Sequence, residues 1–262
     1  RRPNHRRLTA MLAGFDLSLT IFAAAMVFAR MGGILMLMPG IGETSIPVRL
    51  RLAFALAFSF VVGPSIAPML PAPPETLAGV GVLVALETLI GVMIGAASRI
   101  LLTAGAIAGQ IIGYQTGLAM AQSFDPAQGQ AGVLPAQFLN LIFIVIVLIT
   151  PLHQQMLLAA AGSYELMPAG EAPMWGDAAF WALGLFIDAF IIGVQIASPL
   201  IVFGLVFYLG LGVLSRLMPQ AQIFFIAMPL NILIGFSILA MSLGAMVMVW
   251  AERYERFTAT LN

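Results

Sequence analysis

A polar, glycine-rich stretch, residues 113–132 with the sequence GYQTGLAMAQSFDPAQGQAG, interrupts a chain that is apolar on both sides of it. Deep in a bilayer no water satisfies loose backbone groups, so non-helical backbone survives there only where protein or a water-filled cavity surrounds it. A run this rich in Gly, Gln and Ser, with Asp125-Pro126 inside it, is not an ordinary spanning helix. It is the material of a pore, a filter or a plug.

The surroundings justify reading it in a membrane. Of 262 residues, 61% are hydrophobic and 8% charged, with a mean hydropathy of +1.04, whereas soluble domains carry about a quarter of charged residues. Eleven Arg balance eleven Asp and Glu, and there is no Lys; no basic patch on the body invites nucleic acid. The absence of Cys removes disulfides, thiolate metal sites and cysteine nucleophiles.

Breakers and hydropathy divide the chain into six to eight helical segments, at about 20 apolar residues per span. These are 15–38, ended by Pro39-Gly40; 52–62, ended by Gly63-Pro64; 77–102; 104–121; 134–150, stopped by Pro151 and continuing through Leu158; 178–197, broken by Ser198-Pro199; 200–217; and about 230–254. The first segment follows an arginine cluster and contains Ala23-Ala24-Ala25, superficially a signal peptide. Asp16 interrupts that pattern and the apolar character runs on to Met38, which favours a first membrane helix. Four N-terminal Arg argue for a cytoplasmic start, but Arg49 and Arg51 would then lie on the wrong side. That conflict points away from a standard membrane weave.

Two stripes must face protein. Glu87, Gly91, Gly95 and Arg99 recur every fourth residue and share a helical face; a charge at mid-bilayer costs about 2.5–3.5 kcal/mol on insertion scales. Gly105, Gly109, Gly113 and Gly117 make a second ladder at the same spacing. Each interior Gly gives up about 1 kcal/mol against Ala, and close approach of a neighbouring helix is the usual compensation. Arg30, Asp188 and Arg216 also sit in or beside apolar runs. With Glu87 and Arg99 they are expected to be buried charges, held in internal salt bridges rather than in an ion path. Asn140 and Asn231 are expected to bond across helices, and Trp250 and Tyr254 to sit in an interfacial belt. Glu252 and Arg256 form an i,i+4 pair at a solvated helix end.

Chemistry is largely excluded. A Walker phosphate loop needs Lys; His5 and His153 have no H-E-x-x-H or Cys partners; no G-x-S-x-G elbow is present. The chain reads as a non-enzyme with no cofactor and no metal site.

Three stretches carry a resemblance to the FliR/SctT-like family of type III export-gate proteins. They are Met38 to Ala53 with its Ser45-Ile46-Pro47-Val48-Arg49 link; Glu87 through Gly109, Gly113 and Gly117 to Phe124-Asp125-Pro126 and on to Asn140; and Leu209 to Gln220 with Pro229-Leu230. The resemblance implies an all-α chain of integral membrane-type helical hairpins, a single export-gate domain over 1–262. Its first part, about 1–178, would be FliP-like and its last, about 179–262, FliQ-like. It also implies a hetero-oligomer with FliP-like and FliQ-like subunits, further contact with FlhB-like and FlhA-like components, and unfolded protein substrates in transit. The setting would be flagellum biogenesis at the bacterial inner membrane, in the flagellar basal body. The assembly in such families lies largely above the membrane plane. The resemblance further assigns the mid-chain loop, with Gly117, Met120, Gln122, Ser123, Phe124, Asp125, Pro126, Gly129 and Gly132, as the plug of a closed channel. Two alternatives stay open: a proton-coupled secondary transporter using Glu87 and Asp188, and a purely structural packing subunit.

Overall fold

The structure is a computed structural model that describes residues 17–119, 133–218 and 223–261. The described residues form an all-α chain with no strand: α1 (Leu17–Leu37), α2 (Val48–Ile66) running into a short 3-10 turn, α3 (Leu77–Gln115), α4 (Leu134–Ile149), α5 (Leu152–Leu166), α6 (Trp175–Leu217) and α7 (Ile223–Ala259). Five of these helices are long and apolar enough to cross a membrane, or six spans if the bent pair α4–α5 counts as one.

Several helices are longer than the sequence divisions predict. α3 runs for 39 residues, about 58 Å at 1.5 Å per residue and nearly twice a hydrocarbon core of about 30 Å. The expected break near Thr103 does not occur: the helix runs through it, and the Thr103 hydroxyl points back to the Ile100 carbonyl at 2.6 Å. α6 runs for 43 residues straight through Pro199. Proline leaves the carbonyl four residues earlier without its donor; here that is Gln195, and the Ser198 hydroxyl donates to it at 2.8 Å. The expected stop is therefore repaired by its neighbour. Pro151 does break the chain, and α4 and α5 meet at 73°. His153 Nδ1 stands 3.0 Å from the Val147 carbonyl and 2.8 Å from that of Thr150, meeting the end of α4.

The chain packs as two compact units. One holds α1, α2, α3 up to Ala96, and residues 156–175. Its α1–α2 link is tightly wound: Gly40 takes φ +88, Gly42 N–H donates to the Met38 carbonyl at 2.7 Å, and a Cβ on Gly42 would stand 2.6 Å from the Met36 carbonyl. Arg51 donates to the Met36 carbonyl at the end of α1 at 3.5 Å and to the Gly42 carbonyl in the link at 3.3 Å. Arg49 is exposed.

The other unit holds residues 97–155 and 176–260, so α3 from Ala97 onward packs with α4, α6 and α7. At its centre Trp250 is 1% exposed, stacks on Phe143 with ring centroids 4.4 Å apart, and donates its indole N–H to the Leu101 carbonyl at 3.0 Å. Tyr254 is 0% exposed and stacks on Trp250. The interfacial belt expected of these two is therefore corrected: the register of α7 turns both rings inward. Glu252 and Arg256 do pair at an exposed helix end.

Candidate functional site

Two arrangements carry the residues singled out above. The first is an ion pair. Arg30 on α1 meets Glu87 on α3 through two hydrogen bonds, Nε to Oε2 at 2.7 Å and Nη2 to Oε1 at 3.1 Å, and both side chains are wholly buried. Buried charges are tolerated when every remaining donor and acceptor is met. Arg30 Nη1 donates to the carbonyls of Ser163 at 3.2 Å and Met167 at 2.9 Å, and the guanidinium lies 3.9 Å over the Tyr164 ring. Glu87 Oε1 also accepts the Gly170 N–H at 3.0 Å, a glycine held at φ +81.

The stripe beside Glu87 makes this possible. A Cβ on Gly91 would collide with the Arg30 carbonyl, and one on Gly95 would stand 2.9 Å from that of Ile34. On the α1 side, a Cβ on Gly33 would stand 2.8 Å from the Val92 nitrogen. The two backbones thus approach closely enough for a charged pair to be sealed between them. Among the described residues the Glu87 carboxylate is thus enclosed by a guanidinium and a backbone N–H.

The other expected buried charges differ. Arg99 is half-buried, while Asp188 and Arg216 are exposed on this chain. Arg216 occupies the last turn of α6, where a cation complements the carbonyl end of the helix and needs no buried partner. Asp188 lies in a groove with Arg253 and Arg256.

The second arrangement is the base of the mid-chain loop. α3 ends at Gln115, and Gly117 follows at φ +78, the left-handed conformation that glycine adopts at helix ends. α4 begins after Val133, with Pro135 in its first turn. The glycine ladder on α3 lies along α4. A Cβ on Gly113 would run into the Val133 side chain, one on Gly109 into the Ala136 backbone, and one on Gly105 would stand 2.8 Å from the Phe143 ring. The loop therefore leaves and re-enters at adjacent points.

Its departure is fixed from two further helices. Asn231 on α7 donates to the Gln115 carbonyl at 3.0 Å and to the Tyr208 hydroxyl of α6 at 3.3 Å. A Cβ on Gly204 would collide with the Gln115 side chain, and one on Gly235 with Thr116. Asn231 is 3% exposed and its Oδ1 has no partner among the described residues. Met120, Gln122, Ser123, Phe124, Asp125, Pro126, Gly129 and Gly132 lie outside the described residues.

Sequence reasoning missed Ser163, Tyr164, Met167 and Gly170 around the ion pair, and Gly204 and Gly235 at the loop base. The last two stand singly in apolar helices, and only contact reveals them.

The family model described as bacterial export proteins, family 1, matches residues 21–257. The flagellar biosynthetic protein FliR of Caulobacter vibrioides is 42% identical over 92% of this chain and 96% of its own length. FliR of Aquifex aeolicus is 31% identical over 88% of each chain, and that of Escherichia coli 31% over 77% of each.

Proposed function

The chain belongs to family 1 of the bacterial export proteins, and from that premise we propose that it is a subunit of the flagellar type III export gate, with its mid-chain loop as the plug. Membership makes it a component of flagellar export and not an enzyme. In the proposed gate, FliP-like and FliQ-like subunits complete a channel for unfolded flagellar proteins at the inner membrane, in the basal body, with FlhB-like and FlhA-like components nearby. Residues 1–178 stand in for a FliP-like part and 179–262 for a FliQ-like part.

The observation that carries the plug is the stapled loop base. The loop's two ends are held to the surrounding helices, by Gly113 against Val133 and by Asn231 on Gln115. Its uncharged Gln, Ser and Gly residues seal a lumen without gripping one substrate sequence; Asp125 is its single charge. The partners are supported by the apolar side chains this chain leaves exposed on the C-terminal half of α6, among them Val202, Leu205, Leu209 and Val213, and by helices far longer than a bilayer is thick. Large exposed apolar faces mark protein or membrane contacts.

The test replaces residues 118–132 by a short Gly-Ser link. The variant should still co-purify with the FliP-like and FliQ-like subunits, and cells making it should leak ions. Unchanged membrane conductance with an intact complex removes the plug. Loss of any co-purification by the unaltered chain removes the gate.

A further inference from the structure

The groove between α6 and α7 is lined by Trp181, Gly184, Leu185, Asp188 and Ile192 on one helix and by Arg253, Arg256, Phe257 and Thr260 on the other, with Leu101 of α3. The spacings of three and four residues make it one continuous face of each helix. Its volume is about 380 Å³, within the roughly 300–1,000 Å³ of small-ligand clefts.

Its charges are placed unusually. Asp188 and Arg253 border the same cavity, yet neither forms a hydrogen bond or ion pair with any described residue. Around Asp188 the helix is apolar and exposed, with Phe186, Ile187, Phe190 and Ile191 on its flanks. A lone carboxylate on such a face is expensive in a membrane and calls for a cation. Arg253 offers donors for an anion on the opposite wall, while Arg256 beside it is already paired with Glu252. Trp181 stacks on Phe257 with centroids 6.3 Å apart. Asp188 lies about two turns along α6 from that contact and Arg253 about one turn along α7. Leu185, Ile192 and Leu101 supply an apolar floor.

A cavity with an anion-binding wall, a cation-binding wall and an oily floor fits a zwitterion with hydrocarbon attached. We propose that this groove binds an aminophospholipid, with the lipid phosphate on Arg253, the ammonium on Asp188, and an acyl chain along Leu185 and Ile192. Basic clefts between membrane helices commonly hold lipid headgroups; the carboxylate opposite is what selects a primary ammonium. This site is independent of the plug.

The full chain, purified with its partner subunits and reconstituted in nanodiscs of mixed phosphatidylethanolamine, phosphatidylglycerol and phosphatidylcholine, is examined by native mass spectrometry. Phosphatidylethanolamine should be retained on the order of tenfold over the other two, the ratio one charge-assisted hydrogen bond supplies. The choline lipid keeps its positive charge but cannot donate to Asp188, and the glycerol lipid has no cation. Asp188→Asn should abolish the preference while keeping some lipid, and Asp188→Glu should restore it. Arg253→Gln should reduce all three. Equal retention of the three lipids by the unaltered chain, or a preference for phosphatidylglycerol, overturns the proposal without reference to any variant. So does displacement of the bound lipid by soluble phosphoethanolamine at matched concentration, which would assign the groove to a headgroup alone. A groove found filled by a neighbouring subunit, with no lipid retained, overturns it too.

Discussion

The backbone of Ala136 occupies the space that a side chain on Gly109 would need. The approach of α3 and α4 is therefore set by a hydrogen atom where any other residue has a carbon. The glycine ladder is a contact surface, and its cost in helix propensity is offset by dispersion contacts between the two helices.

Gly109→Ala should consequently destabilise the protein by about 1–3 kcal/mol through overpacking, although Gly→Ala in a helix is favourable by about 1 kcal/mol where space is free. Gly210 on α6 is such a place, with nothing within 4 Å of an added Cβ. Gly210→Ala should be neutral or stabilising. Thermal unfolding of the two variants in detergent, followed side by side, checks the sign. Equal behaviour would mean that the α3–α4 contact is not close.

The Arg30–Glu87 pair makes a second prediction. Glu87→Gln strands a buried guanidinium and should cost about 3–5 kcal/mol. Replacing both partners by apolar residues, Arg30→Met with Glu87→Leu, removes the uncompensated charge and should recover much of that loss. The same double variant separates roles. If Glu87 carried protons, cells depending on it would not assemble flagella however stable the chain; if the pair only joins helices, swimming should return with stability. Motility in soft agar alongside the amount of protein in membranes reads both.

Trp250 supplies the third. Trp250→Phe removes the indole donor to the Leu101 carbonyl and part of a stacked ring, and should cost about 1–3 kcal/mol. Trp175, 56% exposed at the start of α6, should tolerate the same change within about 0.5 kcal/mol. Melting temperatures of the two variants would separate a core tryptophan from a surface one. A silent Trp250→Phe would return that residue to the interface.

Much of this architecture was legible because it is written locally. Apolar run length and the four-residue spacing of Glu87, Gly91, Gly95 and of Gly105, Gly109, Gly113 follow from helical geometry alone, whatever lies opposite. The repair of Pro199 was also within reach, since Ser198 and Gln195 are its immediate neighbours. The breaker rule failed there because it counts the donor a proline lacks and ignores the hydroxyl beside it.

The chain by itself determined that its helices are apolar and that certain faces must meet protein; the polar stretch expected to begin at Gly113 gives way to helix as far as Gln115, and residues 120–132 lie outside the described residues. Tertiary structure decided the partners. Arg30 finds Glu87 across 57 positions, Asn231 finds the end of α3 across 116, and Trp250 turns inward rather than to the membrane surface. The reason is that a helix specifies which residues share a face, through a fixed rise and rotation. Which face it meets, and at what register, depends on the shape and unpaired polar groups of another helix far away in sequence.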